Sequence, residues 1–499
     1  LAPAEMRVRR FDDYVAKLEK AKVVLDPDRR KQAILTDARN LAFAQGFELV
    51  EDEGLLAEVA GLVEWPVVLM GAFDAAFLGI PPEVIRTTIR ANQKCFVLNE
   101  VKTGRLANRF LLVANIEAAD GGHAIVAGNE RVIRARLSDA KFFYETDLKI
   151  RLEERLDKLK EIVFHEKLGS QYERVERIER LARELAPRVG ADPDKAARAA
   201  RLAKADLLTD MVGEFPELQG IMGRYYALHD GLSADIADAI EDHYKPRFAG
   251  DALPRNPVGL CVALADKLET LAGLFGIGQI PTGDKDPFAL RRHALGVIRM
   301  LMEQDIALPL DQLLANTFAA FPQGLLVDAQ SDLETFFFDR FAGLLREQGY
   351  SAQEVDAVLS LKPQRLGDIA QRLAAVRAFA ALPEAASLAA ANKRVGNILK
   401  KAEGGIQAHV DATLFAEAAE GALHQALASV APQADAAFAR GDYTASLQAL
   451  AALRTPVDAF FDGVMVNAED ARLRANRLGL LATLHAAMNR VADISRLAA

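Results

Sequence analysis

The residues best suited to binding chemistry form a basic segment toward the C-terminal end of the chain. This segment, NKRVGNILKKAE at 392–403, carries four positive charges and one negative charge. On a helix, Lys393, Asn397, Lys400 and Lys401 share one side, because helical neighbours recur three and four residues apart. Cations and amides of this kind suit phosphates and the splayed bases of single-stranded RNA. A solvated helix face without a ligand is the alternative interpretation.

A second candidate lies in the segment GDKDPFALRRHAL at 283–295. Asp286 and Pro287 predict a helix start there, with the aspartate as cap and the proline at the first helical position. Arg291 and Arg292 then fall in the first two turns, where a positive charge gains nothing from the helix dipole. A phosphate or an acidic partner is therefore one interpretation, and a solvated face is the other.

A third candidate is the arginine cluster of Arg131, Arg134 and Arg136. Arg131 and Arg134 lie three residues apart and share a helical face. They either line a track of phosphates or pair with carboxylates of the same chain.

Signatures of an autonomous active site are absent. The sequence contains no GxxxxGK[ST], HExxH or GxSxG pattern, and its eight histidines are scattered singly. Its two cysteines, Cys95 and Cys261, are far apart and not part of a CxxC pair, so neither a zinc site nor a disulfide framework is indicated. An autonomous active site is therefore not visible, and the cysteine usage fits a reducing cytoplasm as the compartment.

Length and composition limit the remaining possibilities. At 499 residues the chain exceeds a single core, and about three or four domains are expected. No apolar stretch approaches the roughly 20 residues of a membrane helix. The net charge of -9 excludes a generally basic nucleic-acid binder but permits a local patch. The start at Leu1, without a methionine or a signal pattern, predicts a truncated chain whose N-terminal segment is missing.

Periodicity predicts an α+β region followed by helices. Strands are predicted at 63–73 and 109–116, where apolar β-branched runs are bounded by Gly, Pro or Asn. Apolar residues three and four apart predict helices at 81–92, 151–164, 171–186, 193–212 and 234–244. Strand signals fade from 150 onward, and Gly and Pro interrupt the helical period at 276–287 and 382–383, so we predict boundaries near 150, 290 and 380. The predicted domains are 1–150, 151–290, 291–380 and 381–499.

Several longer segments carry a family resemblance. They are VEWPVVLMGAFD (63–74), GNERVIRARLSDAKFFYE (128–145), VFHEKLGS (163–170), LAKADLLTDMVGEFPELQGIMGRYYA (202–227), LADKLETLAGLFGIGQIPTGDKDPFALRRHALGVIRML (264–301) and FFDGVMVNAEDARLRANRLGLLATL (460–484). Together they resemble the β subunits of the bacterial two-subunit glycyl-tRNA synthetases, and they span nearly the whole chain.

The resemblance implies a mainly α, multidomain protein. Its α+β N-terminal portion would resemble the B3/B4-type domain of other synthetases, followed by an HD-like helical domain, a helical connector and a helical anticodon-binding domain. It also implies that the basic segment, including Arg394, and the helices through Arg477 meet the anticodon arm of tRNA(Gly). The implied partner is a catalytic α subunit, in an α2β2 complex, that uses ATP and Mg²⁺ to form glycyl-adenylate. The resemblance therefore implies no catalytic residue and no bound cofactor in this chain.

The middle region also resembles an HD-type domain, in which histidines and aspartates converge on a metal. Here Gln171 or Tyr172 stands where the first histidine would fall, and Ala205 precedes Asp206 where a His-Asp pair would fall. Asp206 and Asp266 remain, and two carboxylates without imidazoles make a poor transition-metal site. We expect both to be structural, bonded to helix termini or paired with Lys or Arg.

Two other functions stay open at this stage. One is an HD-type metal-dependent phosphohydrolase, which needs a divalent ion at Asp206 and Asp266. The other is a free-standing RNA-binding protein that has no synthetase partner.

Overall fold

The computed structural model describes residues 2–402 and 406–498 of a mainly helical chain. Its α-helices are, in chain order, α1 (Phe11–Lys20), α2 (Pro27–Ala44), α3 (Glu53–Leu62), α4 (Pro82–Gln93), α5 (His123–Asp147), α6 (Gln171–Leu185), α7 (Pro193–Leu202), α8 (Asp210–Glu214), α9 (Ile221–His229), α10 (Ala234–Asp242), α11 (Pro257–Gly276), α12 (Leu290–Glu303), α13 (Leu310–Ala319), α14 (Gln330–Glu347), α15 (Ala352–Leu359), α16 (Ile369–Ala380), α17 (Ala385–Lys401), α18 (Ala418–Ala439), α19 (Tyr443–Ala449), α20 (Arg454–Gly463) and α21 (Ala471–Met488).

Strands and short 3₁₀ helices complete the described part of the chain. The strands are β1 (Phe47–Leu49), β2 (Pro66–Ala72), β3 (Phe96–Glu100), β4 (Leu106–Asn115), β5 (Val163–His165) and β6 (Gly169–Ser170). The 3₁₀ helices are Ala75–Gly79, Leu152–Glu161, Ala186–Arg188, Ala205–Leu208, Pro216–Leu218, Leu366–Asp368, Ala412–Leu414, Leu450–Leu453 and Ile494–Leu497.

The chain divides into two compact units. Unit 1 contains residues 1–162 and 202–241, and unit 2 contains residues 163–201 and 242–499. The chain therefore passes between the units three times. The four-domain division with boundaries near 150, 290 and 380 stays a prediction.

An antiparallel sheet forms the centre of the N-terminal part of unit 1. Its strand order is β1-β3-β4-β2, and β2 pairs with β4 from Pro66↔Asn115 to Ala72↔Arg109. One apolar core contains Phe96, Leu98 and Leu111 of the sheet together with residues of α2 and α3. Gly71 is required in β2, because a Cβ there would lie 2.3 Å from the ring of Phe110.

Helix α11 is the central element of the first part of unit 2. Every residue from Val258 to Gly276 is buried, and the helix packs against α6, α12, α13 and α14. A helix that is apolar all round belongs in a core. The charged residues of α11, Asp266, Lys267 and Glu269, are buried with it. They therefore need partners inside the protein.

The predicted helices at 151–164 and 193–212 differ from the structure. The first is a 3₁₀ helix, Leu152–Glu161, followed by strand β5. Apolar residues three and four apart fit either helix type, so their spacing did not separate the two. The second breaks into α7, a 3₁₀ turn and α8, where the buried Asp206 accepts hydrogen bonds from the backbone of Gly220 and Gly223. The sequence patterns do not predict strands β1, β3, β5 and β6.

Apolar helices of unit 2 raise the question of membrane crossing. Among residues 2–402 and 406–498, no single helix is both long and apolar enough to span a membrane. The pair 366–380 and 385–401 passes by length and composition, but it is bent by 111°.

Candidate nucleic-acid interface

Helix α17 carries the basic segment on its outer side. Its inner side buries Leu388, Ala389 and Val395, which fixes the rotation of the helix about its own axis. The side chains that this rotation leaves exposed are those of Lys393, Arg394, Asn397, Lys400 and Lys401. We call these five residues the α17 face. Glu403, the last residue of the predicted segment, lies outside the described residues.

Partly buried hydrogen bonds hold α17 in place. The amide of Asn392 donates to Oδ1 of Asn489 at 2.8 Å, and Nδ2 of Asn489 donates back to Oδ1 of Asn392 at 3.0 Å. The hydroxyl of Ser387 donates to Asp458 at 2.8 Å. These contacts join α17 to α20 and to the end of α21. The α17 face is therefore presented by a fixed helix, and less ordering is needed when a ligand binds.

The positive charges of the α17 face are not neutralised by described neighbours. Among residues 2–402 and 406–498, no carboxylate forms an ion pair with Lys393, Arg394, Lys400 or Lys401, whereas the nearby Arg490 pairs with Asp435 at 2.7 Å. Lys400 and Lys401 also lie in the last turn of the helix, where the dipole favours positive charge. The arrangement suits a polyanion that bridges two helical turns.

An aromatic ring lies beside this face. The guanidinium of Arg394 stacks over the ring of Phe461, 4.3 Å from its centroid. In the sequence, Phe461 recurs at helical spacing with Val457, Phe460 and Val464, which predicts that all four belong to the core. The structure buries the other three but leaves Phe461 half-buried. The core prediction is therefore wrong for Phe461, because its position on α20 directs the ring toward Arg394.

His485 is a neighbour of the α17 face that the sequence did not single out. A Cβ at Gly396 would lie 3.6 Å from its Nε2 atom, so the small residue leaves the imidazole room. Burial lowers the pKa of His485, and the nearby Lys400 lowers it further against an opposing effect of Asp493. The ring is therefore neutral at pH 7, with one nitrogen that donates and one that accepts.

Arg477 does not belong to this surface. Its side chain is only 5% exposed. Nε and Nη2 donate to Glu420 at 2.9 and 3.2 Å, and Nη1 donates to the carbonyl of Met465 at 2.7 Å. Although burial raises the pKa of Glu420, the hydrogen bonds from Arg477 and two backbone amides bring it below its usual value. Because its donors are taken, we exclude Arg477 from the interface.

The arginine pair at the start of α12 is divided. Arg292 is exposed, whereas Nη2 of Arg291 donates to the carbonyl of Gly283 at 2.5 Å. Asp286 accepts from the backbone amides of Leu290 and Arg291 at 2.8 and 3.0 Å, so it does bond to the start of the helix. The helix begins at Leu290 and not at Pro287, because Ala289 has a left-handed backbone with φ 55°.

The arginine cluster of α5 lies in unit 1. Arg131, Arg134 and Arg136 are all exposed. Within the described part of the chain, no carboxylate forms an ion pair with any of the three. Arg131 and Arg134 lie on the outer side of α5, opposite the buried Ile133 and Leu137. The other candidates, in α12 and α17, belong to unit 2.

Asp206 is fully buried at the N-terminal end of helix α9. One of its carboxylate oxygens, Oδ2, accepts hydrogen bonds from the amides of Gly220 and Gly223 at 2.6 and 3.0 Å. Burial raises the pKa of Asp206 to about 6 despite these bonds and the nearby Lys204. The carboxylate therefore stabilises the N-terminal end of α9 by accepting hydrogen bonds from its backbone amides.

Asp266 is held by an arginine. Nη2 of Arg174 donates to Asp266 at 2.9 Å, and its Nε donates to Glu269 at 2.8 Å. Arg177 also pairs with Glu269, at 2.8 Å. Among the described residues, no group of three or more His, Cys, Asp or Glu has a geometry that could hold a metal ion. The guanidinium of Arg174 thus bonds to the carboxylate of Asp266 that a metal cation would need as a ligand.

Comparisons with known proteins agree over most of the chain. A family model described as glycyl-tRNA synthetase beta subunit matches residues 1–360, and one described as DALR anticodon binding domain matches residues 388–494. A glycine–tRNA ligase beta subunit of Janthinobacterium sp. (strain Marseille) is 62% identical over 495 residues, which are 99% of this chain and 70% of that protein. The corresponding protein of Thiobacillus denitrificans is 61% identical over 491 residues, which are 98% of this chain and 70% of that protein. The protein of Dechloromonas aromatica is 65% identical over 456 residues, which are 90% of this chain and 63% of that protein.

Proposed function

The chain belongs to the glycyl-tRNA synthetase β-subunit family, and we propose that its α17 face binds the anticodon arm of tRNA(Gly). One observation supports this most directly: the face carries four cations without a described acidic partner, inside the region that matches an anticodon-binding domain. Cations in this state recover binding free energy from phosphates, because counterions of the RNA are released.

The α17 face also offers groups that contact bases. The Asn397 amide both donates and accepts hydrogen bonds, and the neutral His485 ring does the same at the edge of the face. RNA loops are recognised through unstacked bases that stack on planar side chains and bond along their edges. The stack of Arg394 on Phe461 supplies a planar group of this kind. Arg292, exposed at the start of α12, is a further proposed phosphate contact.

We assign this chain to tRNA positioning and the adenylate chemistry to an α subunit. In an α2β2 complex in the cytoplasm, ATP, Mg²⁺ and glycine would be bound by the α subunit. Placing the acceptor end of the tRNA beside glycyl-adenylate lowers a barrier by several kcal/mol without any reacting group from this chain. The proposal therefore names no catalytic residue here.

We further propose that the middle of the chain is a helical scaffold derived from an HD-type domain, preceded by a B3/B4-like portion. Asp266 supports this interpretation, because Nη2 of the buried Arg174 donates to its carboxylate at 2.9 Å. A phosphohydrolase would need that carboxylate free to coordinate a metal. The HD-type phosphohydrolase is the weaker alternative for this reason.

The test is glycylation of tRNA(Gly) by purified α subunit, with and without the purified β protein. A variant with K393A, R394A, K400A and K401A removes the charges of the α17 face. We expect charging to require the β protein, and kcat/KM for tRNA to fall about 100-fold in the variant. The slope of log affinity against log salt should decrease by about three, because four phosphate contacts are lost.

The matched control removes four positive charges that already have acidic partners: R183A, R346A, K362A and R365A. It changes the net charge equally and should leave tRNA affinity within about twofold. Charging that does not depend on the β protein would refute its role. Equal losses in the two variants would show a general effect of charge and would refute the α17 face.

A further inference from the structure

One face of helix α5 combines exposed cations with an exposed aromatic ring. At about 100° per residue, Arg131, Arg134, Ser138 and Phe142 lie on the same side of the helix. Ile133, Leu137 and Ala140 are buried on the opposite side. Arg131 and Phe142 are eleven positions apart, which corresponds to roughly 16 Å along the helix axis. We call Arg131, Arg134 and Phe142 the α5 face.

Phe142 is unusual because 62% of it is exposed on a well-packed helix. Its neighbour Phe143 lies edge-on at 6.1 Å between ring centroids and is half-buried, so it supports the exposed ring from one side. Next to Phe142 in the chain, Lys141 pairs with Glu145 at 3.7 Å. One exposed ring is much smaller than the contiguous apolar patch that marks a protein interface.

The helix that carries this face is firmly anchored at its C-terminal end. The carboxylate of Asp147 accepts hydrogen bonds from the amides of Asp210 and Met211 at 2.9 and 3.0 Å. It also accepts one from the hydroxyl of Tyr226 at 2.7 Å. All four residues belong to unit 1. The face is therefore preorganised, as a stacking platform must be to bind with little loss of entropy.

We propose that the α5 face is a second RNA-binding site, in a unit other than that of the anticodon-binding region. Arg131 and Arg134 bind phosphates of a single-stranded segment, and Phe142 stacks on one unpaired base. The charge supports RNA as the ligand, because in a chain of net charge -9 these arginines lack described acidic partners. Cationic grooves interleaved with aromatic rings bind single strands without sequence readout. This inference rests on the proposed function for the identity of the RNA.

The test is binding of a tRNA(Gly) transcript to the purified protein, measured by fluorescence anisotropy across a salt series. The R131A/R134A variant should bind about tenfold more weakly, with a salt slope reduced by one to two. F142A should weaken binding about five- to tenfold with an unchanged slope, because it removes stacking and no charge. The F142W variant should show indole emission that is quenched on addition of RNA.

Two matched controls lie on the same helix. R136A removes an exposed arginine, and V132A an exposed apolar side chain, each pointing away from the α5 face. Both should bind RNA as the parent does. Circular dichroism verifies that α5 variants keep their helix content.

Several outcomes would overturn the proposal. One is unchanged RNA binding by R131A/R134A or by F142A, and another is an equal loss of RNA binding with R136A. A third is weakened binding of the α subunit with intact RNA binding, which would make the face a protein-docking surface. The α17 face is tested separately. If its four-residue variant binds RNA normally while R131A/R134A does not, the proposed anticodon contact fails and the α5 face stands.

Discussion

Unit 2 contains two groups of positively charged side chains, one buried and one exposed. On α6, Arg174 and Arg177 are buried and paired with Asp266 and Glu269 of α11. On the α17 face, the cations are exposed and lack described acidic partners. The same residue types thus hold a core together in one place and remain available to a polyanion in the other. Burial and the presence of carboxylates, and not the number of positive charges, separate the two roles.

The buried group owes its geometry to the apolar surroundings of α11. A charge inside a core is tolerated only when it is paired and hydrogen-bonded. Arg174 satisfies this with Asp266, Glu269 and the hydroxyl of Thr270. It also stacks over Phe164, 4.3 Å from the ring centroid. Burial alone would lower the pKa of Arg174, but the two carboxylates keep it above its ordinary value.

The largest effect should come from R174A. The substitution removes the buried guanidinium that donates to both Asp266 and Glu269, and we expect a loss of about 3 to 5 kcal/mol in the free energy of unfolding. Urea denaturation measures it. RNA affinity per folded molecule should remain within about twofold. A loss of RNA binding in folded R174A protein would contradict the separation between the two groups.

A similar loss is expected for R477A, in the same region as the α17 face. Removing this guanidinium leaves Glu420 buried and uncompensated, which costs about 3 kcal/mol or more. The double variant R477M/E420L should recover most of that loss, because it removes both charges. If R477A instead weakened tRNA binding without lowering stability, Arg477 would belong to the interface after all.

D206N extends the comparison to a buried carboxylate held by backbone amides. Its folded pKa, about 6, exceeds the unfolded value of 3.8, so the folded state binds the proton more tightly. The stability that this group contributes is present below about pH 4 and is lost as the pH rises through 6. Relative to D206N, the parent should therefore lose roughly 3 kcal/mol between pH 4 and pH 7. Urea titrations at a series of pH values measure the difference, and a flat or rising difference would refute the assignment.

The smallest effect should come from R183A. Arg183 pairs with Asp194 at 2.6 Å, but both side chains are more than half exposed. Exposed pairs contribute between about 0 and 1 kcal/mol. Thermal unfolding of R183A and R174A compares an exposed with a buried arginine on the same helix, α6. A loss of several kcal/mol in R183A would show that exposure does not decide the stability contribution.

Much of the local structure could be predicted from sequence. The runs at 63–73 and 109–116 contain most of β2 and β4, and the pattern at 171–186 matches α6 within one residue. Helical spacing also placed the cations of α17 on one side. These predictions depend on periodicity, which short-range sterics and burial of one face determine directly.

The candidate site was predicted less completely. Phe142 has a sequence signal, since it follows Arg131 and Arg134 at helical spacing, but nothing local shows that its face is uncovered. Phe461 fits the apolar spacing of α20 and was assigned to the core for that reason. Strand β1, of three residues, is too short for a pattern to reveal, and its pairing with β3 comes from residues about fifty positions away.

The amino-acid order alone was enough for the family resemblance, the helical and strand periods, and the absence of an autonomous active-site motif. Only the tertiary structure shows which arginines are buried in ion pairs. Arg174 meets Asp266 across 92 positions, and Arg477 meets Glu420 across 57. A charged side chain looks the same in sequence whether it faces water or a carboxylate from a distant helix. Only packing removes the water, and the removal of water is what turns a surface charge into a structural one.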